Sequence, residues 1–253
     1  MTEIEKARFE FVLHLGDNAL ILSQRLSELC AHGPVLEEDI AITNIALDLL
    51  GQARMLLSYA AKIENAGRDE DALAYLRDVN GFRNALLTEQ PNGDYAQTMA
   101  RQFFMDAFHY HLYSALQESQ DEELQSISAK ALKEATYHLR HSSQWMLRMG
   151  DGTEESHDRL QQAINILWMY AGNLFEKTSF DDLLVFHNII PDMEAIKSKW
   201  HLTVRDILSR ATIIVPDSDF TLKGSREGIH TEHLGHMLSE MQFLQRAYPG
   251  NSW

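Results

Sequence analysis

Cysteine is almost missing from this chain. One residue in 253, Cys30, closes no intrachain disulfide, so the fold has no covalent staples and the composition suits a reducing compartment. Basic residues are outnumbered, 22 against 37 acids for a net charge of -15. Nucleic acid and anionic membrane surfaces both demand a positive field, so neither is expected as a partner, and a polyanionic substrate would be repelled unless another chain supplied the cations. Long apolar runs are lacking too. No stretch approaches ~18 uninterrupted apolar residues, and the opening Met1-Thr2-Glu3-Ile4-Glu5-Lys6 has neither a basic n-region nor an apolar h-region. The expectation is a cytoplasmic protein with no signal peptide and no membrane span. Strict alternation with β-branched enrichment is absent as well, which excludes a sheet.

What is present is helical periodicity, with an apolar content of 45% that is ample for an extensive core. Only 5 prolines and 13 glycines punctuate it, and the segments between them read as helix. The pattern predicts helices over about 8–30, 36–65, 94–118, 121–149 and 154–175, a short segment at 69–78, another helix at 192–212, and a last one at 231–247. The segment 94–118 is apolar nearly all round its middle, as a helix at the centre of a bundle is. The fold class is therefore all-α: a four-helix bundle of duplicated design spanning about 8–149, with additional C-terminal helices over about 154–253, in one domain.

Two helix pairs repeat one spacing. Asn18 and Asp48 stand thirty positions apart across His32-Gly33-Pro34, and Asp106 and Ala135 twenty-nine apart across Gln120-Asp121. A turn between antiparallel helices acts as a mirror, so each pair is expected at one height. A carboxylate-bridged di-iron bundle carries a Glu on each helix at these heights and a Glu-x-x-His on every second one, because i and i+3 point the same way. This sequence offers Asn18, Asp48-x-x-Gly51, Asp106 and Ala135-x-x-His138. Two irons carry at least four positive charges and need several carboxylates, whereas Gly51 and Ala135 have no donor atom. Glu134 lies ~100° round the helix from Ala135 and cannot stand in for it. The expectation is a degenerate ligand set that binds no metal, with Asp48, Asp106, His138 and Arg54 forming a buried polar cluster in which cation and imidazole satisfy the carboxylates.

Other candidates are weaker. His230, His233 and His236 have metal-ligand spacing, but they open a helix with Thr231 as its natural cap and have no glutamate placed as a zinc protease needs. His109 and His111 adjoin Asp106, and only one of them can share its face. Phosphate loops, Ser/His/Asp sets and Cys-x-x-Cys motifs are absent.

Longer motifs carry a resemblance. Gly16-Asp17-Asn18, Leu47-Asp48-Leu49-Leu50-Gly51-Gln52-Ala53-Arg54, Glu89-Gln90-Pro91-Asn92-Gly93, Tyr137-His138-Leu139-Arg140, and the tail from His230-Thr231-Glu232-His233-Leu234-Gly235 to Trp253 resemble the PaaC-type subunits of phenylacetyl-CoA 1,2-epoxidase over essentially the full length. The resemblance implies a ferritin-like subunit of a bacterial multicomponent oxygenase that epoxidises phenylacetyl-CoA in aerobic phenylacetate breakdown. It implies a PaaA-like sister that carries the di-iron centre, and a reductase with FAD and an iron-sulfur cluster that draws on NADPH. No catalytic residue carries over onto this chain. The expected role is therefore noncatalytic scaffolding within a hetero-oligomer, with His233, Leu234, Met237, Met241 and Phe243 as one contact region. The alternatives are an oxygenase binding metal through Asp48, Asp106 and His138, or a metal-free bundle binding an apolar ligand or acyl-CoA.

Overall fold

A computed structural model describes residues 1–251 of the chain, so Trp253 of the tail motif lies outside the described residues. No strand occurs among them, and helix dominates. The chain divides into two compact units, Met1–Gln90 with Lys223–Trp253, and Pro91–Leu222. The break at Gln90–Pro91 follows the proline and Asn-Gly stop signal. The helices over 154–210 lie in the unit of the second hairpin, and those over 232–247 in the unit of the first.

In the first unit, α1 (Glu3–Ser27) starts earlier than the periodicity predicts because Thr2 and Glu5 form a capping box. Residues 11–23 of α1 are buried without interruption, so its polar residues all need internal partners. Helix α2 (Leu36–Glu64) buries one stripe, including Ile42, Ile45, Leu49, Leu56 and Ala60, and ends at Asn65 in the left-handed region, φ 51°. The two pack closely: Ser23 Oγ donates to the Ala46 carbonyl at 2.7 Å. A Cβ on Gly16 would meet Leu57 Cδ2 at 2.8 Å, so any larger residue there would have to displace the Leu57 side chain. Short helices α3 (Glu70–Tyr75) and α4 (Leu86–Glu89) follow. The predicted last helix is in fact two, α10 (Glu232–Met241) and α11 (Phe243–Ala247). The break is at buried Gln242, whose Nε2 donates to the carbonyls of Ala74 and Arg77 at 3.1 and 3.0 Å.

In the second unit, α5 (Tyr95–Leu116) is the central helix, packed by α6 (Glu122–Gly150), α7 (Glu154–Ala171) and α9 (Met193–Arg210). Asp94, Asp121, Thr153 and Asp192 cap these four through their side chains. The short helix α8 (Asp181–Phe186) has too little periodicity to be read from sequence. Phe104, Phe108, Trp168, Phe175 and Trp200 interlock with ring centroids 5.5–5.9 Å apart. The Trp200 indole is satisfied by the Phe104 carbonyl at 2.9 Å.

Candidate functional site

Neither helix pair sets its two expected ligand positions at one height. In the first unit, Ser23 faces Ala46 and Gly16 faces Leu57, so Asn18 stands about one turn further along α2 than Asp48. The residues 28–35 between the helices are a long, asymmetric connection rather than a mirror, and that shifts the heights. Asn18 is fully buried and already committed. Its Oδ1 accepts the Ala85 N–H at 2.6 Å, and its Nδ2 donates to His14 Nε2 at 3.3 Å. The remaining members lie outward. Asp48 is half-buried, and Gly51 is exposed with open space around it. The Arg54 side chain is 78% exposed and reaches Glu70 at 3.6 Å. Arg54 is therefore no member of a buried cluster, a correction that follows from its place on the solvent face of α2.

The buried polar residues of this unit are others. Asp17, next to the residue that the spacing singled out, is fully buried and bonded to both Nη atoms of Arg77, one at 2.9 Å. It also accepts the Arg83 N–H at 2.8 Å. The Arg77 guanidinium also donates to the Leu73 and Gly81 carbonyls and lies 4.2 Å from the centroid of the Phe82 ring. His14 Nδ1 donates to the Arg83 carbonyl at 2.7 Å. A second centre is Glu89. Its Oε1 accepts from His230 Nδ1 at 2.6 Å and from Asn84 Nδ2 at 3.1 Å, and its Oε2 accepts from the Thr231 N–H and hydroxyl at 2.8 and 2.6 Å. His230 also faces the Phe82 carbonyl at 3.0 Å. The histidine with metal-like spacing is thus consumed in tying the C-terminal segment down, and Thr231 gives its hydroxyl to Glu89 instead of its own helix. Replacing Glu89 by alanine strands these donors in a dry setting. We expect a loss of at least about 3 kcal/mol in urea unfolding, with earlier proteolysis within 223–231. A loss below about 1 kcal/mol would show that the pin is not structural.

In the second unit, Asp106 is buried as expected, but its partners are Gln102 Nε2 at 2.6 Å and Ser142 Oγ at 2.7 Å. Asp106 therefore stands level with Ser142, two turns beyond Ala135. A shift of seven residues keeps the helix face and changes the height, so the face was legible and the level was not. His138 is buried too, and its carbonyl accepts from the same Ser142 hydroxyl at 3.1 Å. His109 is the histidine that shares this interior. It stacks on Tyr113 at 5.4 Å, its Nε2 lacks a hydrogen-bond partner among the described residues, and His111 turns away to Thr203. Burial pushes the Asp106 carboxyl up to about 7, against the two hydrogen bonds that favour its charge. Burial and the neighbouring His138 push His109 down to about 3.

These residues do not fit a dinuclear iron centre. The second unit offers one carboxyl, held toward its neutral form, beside a neutral imidazole. In the first unit Asn18 has both ends occupied and Asp48 faces outward. Among the described residues, no group of three or more His, Cys, Asp or Glu is arranged to hold a metal ion. The donor set cannot balance four positive charges. The contact region expected on the last helix also needs correction. Leu234 and Met237 are 0% and 5% exposed, and they fill their own unit's core. His233 and Met241 are half-buried, and Phe243 is open.

A family model described as phenylacetic acid catabolic protein matches residues 1–253. The chain belongs to that family. A relative from Escherichia coli strain K12, named as a 1,2-phenylacetyl-CoA epoxidase subunit, is 51% identical over 243 residues, covering 96% of this chain and 98% of the relative. The all-helical fold, with a long hairpin in each unit, is that expected of the family's ferritin-like class.

Proposed function

We propose that this chain is a noncatalytic subunit of a cytoplasmic phenylacetyl-CoA epoxidase, and that it scaffolds a PaaA-like sister which holds the di-iron centre. In this reading the chain itself binds no iron, and electrons reach the sister from NADPH through a reductase with FAD and an iron-sulfur cluster. The named relative and the poor donor set support it, but the observation that carries it is on α2. Opposite its buried stripe this helix exposes Leu36 at 71%, Ile40 at 52%, Leu47 at 60% and Leu50 at 40%. With half-exposed Thr43 and exposed Arg54, these positions follow one another by alternate steps of four and three residues. That is the 3.5-residue seam by which one helix receives the knobs of another. By length and composition α2 is apolar enough to cross a membrane. Its two apolar stripes account for that composition: one faces its own core and one faces a partner helix.

The test is coexpression with the di-iron sister. Iron should follow the sister alone, and epoxidation should require both chains. Stoichiometric iron and unaided turnover on this chain by itself would overturn the reading. The seam adds a second expectation. Leu47→Asp with Leu50→Asp should abolish copurification, an affinity loss of about 100-fold or more, while leaving the isolated chain's melting temperature within about 3 °C, since both side chains face solvent. Retained copurification would remove α2 from the interface.

A further inference from the structure

The second unit contains a cleft of about 510 Å³ that the proposed scaffolding role does not use. One wall is α9, where Lys197, His201 and Arg205 recur every four residues and so share a helix face. The other is the segment 216–221. It is fastened by Trp168 Nε1 to the Ser218 carbonyl at 3.2 Å, by the Thr221 hydroxyl to the Met169 carbonyl at 3.2 Å, and by the Leu222 N–H to the same carbonyl at 3.0 Å. Trp168 and Phe175 form the floor, and Phe220 stands at the rim, 61% exposed.

Three features set this cleft apart from an ordinary solvated surface. Neither Lys197 nor Arg205 has an ion-pair partner among the described residues, on a chain whose net charge is -15. His201 Nδ1 is buried with no hydrogen-bond partner among the described residues. An exposed aromatic ring, Phe220, and an indole anchored by its own hydrogen bond, Trp168, both line it. The volume lies in the range of small-molecule sites, which pair apolar and aromatic walls with a few placed polar groups.

We propose that this cleft binds a small anion carrying one planar ring, the ring held between Phe220 and Trp168 and the carboxylate or phosphate held by Lys197 and Arg205. Asp217 and Asp219 on the opposite wall limit the ligand to one anionic group by repelling a second. Cation-anion hydrogen bonds supply affinity, and the ring supplies selectivity over inorganic anions.

Calorimetric titration of the full chain with benzoate and with AMP tests this and tells a carboxylate from a phosphate ligand, with benzyl alcohol and inorganic phosphate as controls. We expect saturable binding of at least one ring anion and at least about tenfold weaker binding of both controls. Lys197→Ala with Arg205→Ala should weaken the ring anion by about tenfold or more, and Phe220→Ala should weaken it by a smaller factor. Both cations lie off the core, so an unchanged melting temperature verifies the fold of the double variant. No binding of either ring anion, phosphate binding as tightly as AMP, or a double variant that binds like the parent would each overturn the proposal.

Discussion

Replacing Arg77 by methionine should lower the unfolding free energy by about 3–5 kcal/mol, the cost of removing one partner from a buried ion pair. Arg77 is 7% exposed and Asp17 fully buried, so solvent does little to screen the carboxylate that is left behind. That carboxylate would retain the Arg83 N–H and lose both guanidinium nitrogens. The methionine fills much of the same volume, so little of the effect comes from a cavity. The backbone carbonyl of Arg77 also receives Gln242 and Arg246 from the C-terminal helices, and a shifted residue 77 would loosen them as well. Removing both charges separates the causes. Asp17→Leu with Arg77→Met should recover a large part of the loss, because neither charge is then buried alone. Urea unfolding at pH 7 reads both variants. A single-variant loss under about 1 kcal/mol, the range of exposed pairs, would mean that the pair is not an anchor.

Much of this architecture was legible because it follows from local rules. The proline and glycine punctuation and the 3.6-residue stripes placed the long helices to within about five residues. Asp106, His138 and Asn18 are buried, whereas Asp48 is half-buried and Arg54 exposed. Heights were not legible. They depend on how a connection offsets two helices, and a turn such as 117–121, held by Asn188 and Ile189 through backbone and Ser119, obeys tertiary contacts and not its own symmetry. The identity of the working acids was obscured for a related reason. Asp17 meets Arg77 sixty residues on, and Glu89, apart from Asn84 five residues back, meets His230 at a separation of 141. One signal was available. An aspartate at position 17, in the middle of a largely apolar helix, needs an internal partner, and the Arg77 guanidinium and the Arg83 N–H supply it. The exposed seam on α2 was hidden because leucines at 47 and 50 look like core until the buried stripe is seen to lie elsewhere.

Asp106→Asn should stabilise the protein at pH 8 and leave it nearly unchanged at pH 4. Burial holds the carboxyl at about 7 in the folded state against an ordinary 3.8. For a group raised in this way, the stability it contributes is fully present below the unfolded value and is lost as pH climbs through the folded one. Across about pH 4 to 7 the parent therefore loses stability that the amide variant keeps, up to about 4 kcal/mol at 1.36 kcal/mol per pH unit. The network tolerates the exchange. Gln102 continues to donate to an oxygen, and the Ser142 hydroxyl can turn wholly to the His138 carbonyl, already 3.1 Å away, and accept from the new amide. The difference between variant and parent cancels every other titrating group, so a pair of urea-unfolding series from pH 4 to 8 isolates this one. If Asp106 were instead an ionised ligand or a member of a salt bridge, its folded value would be depressed. The sign would then reverse, and the amide would destabilise at pH 8. A flat or inverted difference would therefore reject both the neutral carboxyl and the account of this interior as too poor in charge to hold iron.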